Sequence, residues 1–333
     1  DPESFSMLSN ANDPGSRGGG LVTSSKGISY ENNFLTLGPL TITGTDGTLF
    51  EVEARAQNLK SDPTVEADWS LDCPRSAVPE TQLLPPPLAL IVGEQGISTG
   101  PLTADGHLTM NFKKGSERPV TFESTAHAEF VDGTINLGGV VFTDITNETN
   151  ISILVHNDVV ESLEGTSFIP SAMIEGRKLE NVRLRTVHLP DEDELTVLMS
   201  MTEGSLYGGP VRGTFEYRPE SGHYQVDISM VDVGLAGIAD GEVSPDGVSG
   251  GKLMANINFS GTTDAPEYRV GRGNILIEDA DIAGNRGSMA LLRLGQLMLP
   301  GYGGMEEAEI EILVNGNEAI LSDILLNSPS LIM

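Results

Sequence analysis

The stretch VRGTFEYR, residues 211–218, sets Val211, Phe215 and Tyr217 at alternate positions against Arg212, Thr214, Glu216 and Arg218. Successive side chains of a strand point to opposite faces, so this period of two makes one face apolar and the other wet. HYQVDISM (223–230) repeats it, with Tyr224, Val226, Ile228 and Met230 against Gln225, Asp227 and Ser229. KLMANINF (252–259) carries Leu253, Ala255, Ile257 and Phe259 opposite Lys252, Asn256 and Asn258. In RGNILIED the same alternation sets Ile275 and Ile277 apart from their polar neighbours, and AEIEILV sets Ile310, Ile312 and Val314 against Glu309 and Glu311. This part of the chain is therefore expected to be β.

Outward from these segments the habit continues. VRLRTVHL and LTVLMSMTEG precede them, and FLTLGPLTITG, TLFEVEARAQNL, LALIVGEQGI, HLTMNF, VTFESTAHAEFV, TINLGGVVFTDI and ISILVHN fill the first half. Ala104-Asp105-Gly106, KKG (113–115) and VDG (131–133) look like turns at roughly ten-residue spacing, the rhythm of meandering strands. Consecutive hairpins predict a mostly antiparallel sheet of sequence neighbours. Residues 60–87 look irregular and end in three prolines, and a short helix is expected near Asp158–Leu163. Residues 1–27, rich in Ser, Asn, Gly and Pro, form an expected flexible linker.

Composition narrows the function. The formal charge is −29, from 48 acidic against 19 basic residues. Such a surface repels nucleic acid, and anionic headgroups are poorly attracted by the chain as a whole. Cys73 is alone, so no disulfide forms within the chain. No apolar run reaches the roughly 18 to 20 residues that span a bilayer. The chain opens at Asp1 rather than Met, which points to a processed form or a piece of a longer protein. Any anchor is expected outside these residues.

Motifs that suggest chemistry fail on context. GISTG (96–100) matches the nucleophile elbow around Ser98, but Pro101 and a turn follow where a helix is required. His107, His127, His156, His188 and His223 show no metal-ligand spacing, and Asp191–Glu194 lacks the glycine and distal Glu of a calcium loop. GRGNIL (271–276) lacks the third glycine of a dinucleotide loop and sits before a strand. The expectation is no enzyme, no cofactor and no metal.

One segment departs from the β pattern. From Asn285, a suitable N-cap, residues 285–299 place Leu291, Leu294 and Met298 on one stripe, widened by Ala290 and Leu297, before Pro300-Gly301 stops it. That predicts a helix about 20 Å long at 1.5 Å per residue. A helix this apolar must lie on an apolar sheet face.

Residues 174–333 resemble the C-terminal region of the AsmA-like family of bacterial envelope proteins, the TamB/AsmA type. The matching pieces come in the family's order. They are IEGRKLENVRLRTVHL, then GSLYGGPVRGTFEYRPESGHYQVDISMVDVGL and GVSGGKLMANINFSGT. The Gly-led Ile-rich strand with its apolar helix follows, and IEILVNGNEAILSDILLNSPSL is last. The resemblance implies a mainly β fold: a long, curved, mostly antiparallel sheet with a hydrophobic groove, or an elongated sandwich, plus the one short C-terminal helix. It divides the chain into the linker 1–27, a β region 28–170 and an AsmA-like region 171–333 with the helix at 285–299.

The implied function is non-enzymatic lipid binding and transfer, with phospholipid acyl chains carried between membranes in the groove. The implied location is the periplasm or envelope of a Gram-negative-type bacterium, with membrane anchoring through other segments. Expected groove-lining residues are Val211, Phe215, Tyr217, Val226, Ile228, Leu253, Ile257, Phe259, Ile275, Ile277, Ile310, Ile312 and Val314. Leu291, Leu294 and Met298 would cap it. Two other readings compete: a structural or adhesive surface β-protein with a closed core, and a carbohydrate-active β-solenoid enzyme. The second suffers from a single tryptophan, Trp69, and few other aromatics for sugar stacking.

Overall fold

Alternation of apolar and polar residues becomes strand in every element of the computed structural model, which describes residues 21–24, 27–43, 47–74, 100–116, 118–137, 140–174, 177–189, 194–235, 251–263, 265–279, 307–316 and 318–327. The strands whose register is described pair antiparallel, and nearly all of them pair with sequence neighbours. The chain divides into two units. The first comprises Asp1–Leu137, Val141–Ile169 and Arg185–Leu195; the second comprises Gly138–Val140, Pro170–Leu184 and Thr196–Met333.

In the first unit, β1 (Leu21–Ser24) and β2 (Ile28–Glu31) both pair with β3 (Phe34–Thr43). Then β4 (Leu49–Gln57), β5 (Thr64–Cys73), β6 (Leu102–Asn111) and β7 (Thr121–Leu137) follow in order. β8 (Val140–His156) and β9 (Val159–Ile174) continue the series, and β10 (Arg177–His188) leads on. The register gathers Leu40, Val52, Trp69, Gly106 and Ala126 on one face, beside Leu37, Ala54, Ala67 and Leu108. Glu53, Asp68, His107 and Thr125 lie on the other.

Several expectations are corrected here. Leu21–Ser24 is a strand inside the stretch expected to be linker, because its backbone pairs with residues 40–43. β5 occupies the middle of the stretch expected to be irregular, where TVEADWSL alternates. Ala104-Asp105-Gly106 is no turn but lies within β6. Its glycine sits directly opposite Trp69, and a Cβ there would meet the Thr125 carbonyl at 2.5 Å and the indole at 2.6 Å. Val131-Asp132-Gly133 likewise runs through β7, with Asp132 at φ 53 absorbing the irregularity. The helix expected near Asp158–Leu163 is strand β9. Asn157 and Asp158, at φ 50 and 64, form the two-residue turn that enters it.

In the second unit, β11 (Val197–Leu206), β12 (Gly209–Arg218), β13 (His223–Gly234), β14 (Lys252–Thr262), β15 (Ala265–Glu278), β16 (Glu307–Asn315) and β17 (Glu318–Asn327) pair consecutively. Tyr207 and Gly208, both at positive φ, make the two-residue hairpin between β11 and β12. A bulge between Met230 and Val233, with Asp232 at φ 53, keeps Val233 on the face of Leu253. The expected helix 285–299, the stretch LALIVGEQGI, Ser98 and Asp191–Asp193 lie outside the described residues.

Candidate functional site

The registers of β11–β17 stack side chains into rows that cross the strands. Directly paired residues point to the same face, so each row belongs to one face. Five rows make up the apolar face. The first is Val197, Tyr217, Tyr224 and Gly261. The second is Met199, Phe215, Val226, Phe259, Gly271 and Val314. The third is Met201, Gly213, Ile228, Ile257, Gly273, Ile312 and Leu321. The fourth is Val211, Met230, Ala255, Ile275, Ile310 and Ile324, and the fifth is Val233, Leu253, Ile277 and Ala308.

Every residue from Val211 to Val314 that alternation had assigned to the apolar side lies in these rows. Leu291, Leu294 and Met298 fall outside the described residues.

Burial differs between rows. Tyr217 and Tyr224 are each 1% exposed, and Val211, Val233, Ala255, Ile277, Ala308 and Ile310 are also buried. Ile277, Ala308 and Ile310 form a cluster against which Leu235, Ile275, Ile312 and Leu321 pack. In rows two and three every described non-glycine side chain stays half-buried: Met199, Phe215, Val226, Phe259 and Val314, then Met201, Ile228, Ile257, Ile312 and Leu321. The apolar face thus has a half-exposed strip, bordered on one side by the buried row one and on the other by row four, in which Val211, Ala255 and Ile310 are buried, Met230 and Ile275 half-buried and Ile324 exposed.

Aromatic rings crowd one border of the strip. Phe215 stacks on Tyr217 and Tyr224 at 6.0 and 6.3 Å between centroids, and Phe259 meets Tyr224 edge-on at 6.3 Å. Each such pair adds about 0.5–1.5 kcal/mol beyond its buried area. Sequence reading missed Met199, Met201 and Arg269 on this face. Arg269 stands two residues before Gly271, so the period of two that found Ile275 and Ile277 also reaches it.

The opposite face of the second unit is largely polar over β12–β14 and mixed over β15–β17, where Val270, Leu313, Ile320 and Leu325 are exposed. A shallow cleft of about 830 Å³ lies between the row Ser200, Thr214, Asp227, Asn258, Arg272 and the row Arg212, Ser229, Asn256, Asn274, Glu311. Asn258 donates to Asp227, as does Gln225 at 3.1 Å. The cleft is the furrow between these two rows, and residues of the third row between them, Gly213, Ile228, Ile257, Gly273 and Ile312, also line it, with Leu313 at one end.

A similar cleft of about 610 Å³ marks the polar face of the first unit, where Asp68, His107, Asp105, His127, Asn150, Glu164 and Arg185 converge. His107 Nδ1 lies 2.8 Å from Asp68 Oδ1, and its Nε2 lies 3.4 Å from Thr109 Oγ1. That order matches a catalytic triad only in outline. The imidazole is 49% and the carboxylate 81% exposed, and the surrounding backbone N–H groups are engaged in the strand ladders rather than set toward an oxyanion. His127 bonds Asn150 at 3.0 Å and Glu129 at 3.3 Å; both contacts, the Asn150 bond foremost, raise its pKa. Among the described residues no group of three His, Cys, Asp or Glu is arranged to hold a metal, and no helix is long and apolar enough to cross a membrane.

No protein-family model, curated protein or solved structure matches the chain, so the AsmA-like resemblance rests on the quoted residues alone.

Proposed function

We propose that the half-exposed strip formed by rows two and three binds the acyl chains of a lipid, and that the chain is a non-enzymatic lipid-transfer segment of an AsmA-like envelope protein. On this reading the protein works in the periplasm and is anchored through segments outside these residues. The observation that carries the reading is the strip itself. Apolar side chains from Met199 to Leu321 run unbroken by charge across seven strands and stay partly accessible.

At about 4.8 Å per strand, six steps give a track roughly 29 Å long. An acyl chain laid on it removes apolar area from water at about 25 cal/mol per Å². Glycines at positions 271 and 273 let their neighbours pack close over the backbone, since a Cβ there would meet Phe259 Cβ at 2.4 Å and Ile257 Cγ1 at 3.1 Å. Binding and sliding need no nucleophile or general base, and the acidic polar face would keep the particle soluble beside its lipid cargo.

A structural β-protein with a closed core is the second reading, favoured by the burial of Tyr217, Tyr224 and Val233. Native mass spectrometry of the purified chain, followed by organic extraction, separates the two. Co-purified lipid, or stoichiometric uptake of a fluorescent fatty-acyl probe, is expected. A lipid-free protein that also ignores the probe would leave only the closed-core reading.

A further inference from the structure

The charged residues that line the cleft of the second unit are two cations, Arg212 and Arg272, and two anions, Asp227 and Glu311. The cleft is therefore neutral within a chain of net charge −29. Arg212 on β12 and Glu311 on β16 share one row, four strand steps and about 19 Å apart. Asp227 on β13 and Arg272 on β15 share the other, two steps and about 10 Å apart. Arg212 lies diagonal to Asp227, and Arg272 to Glu311. Among the described residues none of the four forms an ion pair; Asp227 accepts from Asn258 and Gln225, and Glu311 from Ser322.

β14 is the middle strand of these five, and the charges are arranged about it with opposite sign. Let two copies lie face to face with a twofold axis along β14. The axis carries β12 over β16 of the second copy and β13 over its β15, and it keeps each row over itself. Arg212 then faces Glu311 of the second copy, Asp227 faces its Arg272, and each contact occurs twice. Asn256 and Asn258 face their own equivalents, and an amide both donates to and accepts from another amide. In the next row Met254, half-buried opposite Leu276, meets its own equivalent and adds apolar contact.

Self-complementarity of this kind is what a twofold dimer requires of one surface patch. Facing sheets pack about 10 Å apart, within reach of opposed arginine and carboxylate side chains. Five strands and four rows cover about 24 Å by 27 Å, roughly 650 Å² per copy, at the lower end of stable specific interfaces. Two chains this acidic repel each other, so a locally neutral patch is where they can meet.

We propose that this face joins two copies of the chain in a twofold dimer, with Arg212 paired to Glu311 and Asp227 to Arg272 across the interface. The dimer stands independently of the lipid reading, because rows two and three lie on the other face of the sheet.

Sedimentation velocity of the full chain over a range of concentrations tests the dimer, with Arg212→Glu, Glu311→Arg and an equimolar mixture of the two variants. The wild type is expected to pass from monomer to dimer as its concentration rises through the micromolar range. Each variant alone sets like charges over each other at both symmetric contacts, so its dissociation constant should rise about tenfold or more. In a mixed dimer opposite signs meet again at both contacts. The mixture should therefore dimerise about as tightly as the wild type, although neither variant does so alone.

A wild type that stays monomeric overturns the dimer and leaves the cleft a hydrated face. A wild-type dimer that both variants retain uses another surface and overturns the proposal as well. So does a mixture that associates no more tightly than its components. If either variant fails to fold by circular dichroism, Asp227→Lys and Arg272→Glu, singly and mixed, carry the same test.

Discussion

Tyr217 on β12 stands directly opposite Tyr224 on β13, and both rings are almost wholly buried. This pair closes the border row of the apolar face and holds Phe215 against both rings. Replacing Tyr217 by Ala removes a buried aromatic that its neighbours cannot refill, at a cost of about 3 kcal/mol or more. Urea unfolding should show a lowered midpoint with little change in slope. A loss below about 1 kcal/mol would mean that the pair is not part of the core.

Gly106 supports the only tryptophan of the chain. Gly106→Val would drive its side chain into the Thr125 carbonyl and the Trp69 ring, so a destabilisation of about 1–3 kcal/mol is expected. Trp69 reports the event directly, because its fluorescence should shift to the red as the ring is displaced toward water. An unchanged spectrum and an unchanged midpoint would contradict the register of β5 and β6.

Tyr207 holds φ at 47°, a left-handed conformation that a bulky residue tolerates poorly. Asn occupies it readily, and the following Gly208 already suits the turn. Tyr207→Asn should therefore stabilise the second unit by about 0.5–1 kcal/mol, read from thermal or urea midpoints. Destabilisation instead would show that the tyrosine side chain holds more than the turn.

His127 has its pKa raised above 6.5, first by the Asn150 hydrogen bond and then by Glu129. A raised folded-state value favours the protonated ring in the native protein. The stabilisation is thus fully present below about pH 6.5 and is lost as pH rises through the folded value. An NMR titration should place the His127 midpoint above 6.5, and Glu129→Gln should bring it down. A wild-type midpoint at or below 6.5 contradicts the described contacts.

Much of the fold was legible because an antiparallel strand with one wet face writes its period of two into the chain. VRGTFEYR, HYQVDISM and KLMANINF declare their faces one residue at a time, and the registers only align what alternation had sorted. The misreadings have one physical source: turn residues also serve inside strands. Gly106 follows Ala-Asp as a turn glycine would, yet it is small because Trp69 lies over it. Asp132 bends a strand without ending it, and Asn157-Asp158 turns the chain where a helix start was expected.

The half-exposed strip was not legible. Whether Phe215 or Val211 is the more covered depends on neighbours contributed by other strands, which alternation within one strand cannot see. Arg269 escaped notice because glycines, Gly271 and Gly273, hold the next two positions of its face, so no apolar side chain marks that face beside it. The two polar clefts depend on cross-strand register for the same reason, since no local pattern places His107 beside Asp68.

The central claim is that rows two and three contact acyl chains. Photo-reactive residues at positions 215, 257 and 312, with controls at 214, 256 and 258 on the polar face, test it most directly. Irradiation with membrane lipid extract, followed by mass spectrometry, should give lipid adducts at the first three positions and essentially none at the controls. Ile257→Glu should abolish the adducts while strand content survives, because a half-exposed carboxylate can still reach water. Absence of adducts at 215, 257 and 312, together with unfolding of Ile257→Glu, would show that this face is a dry core and not a lipid track.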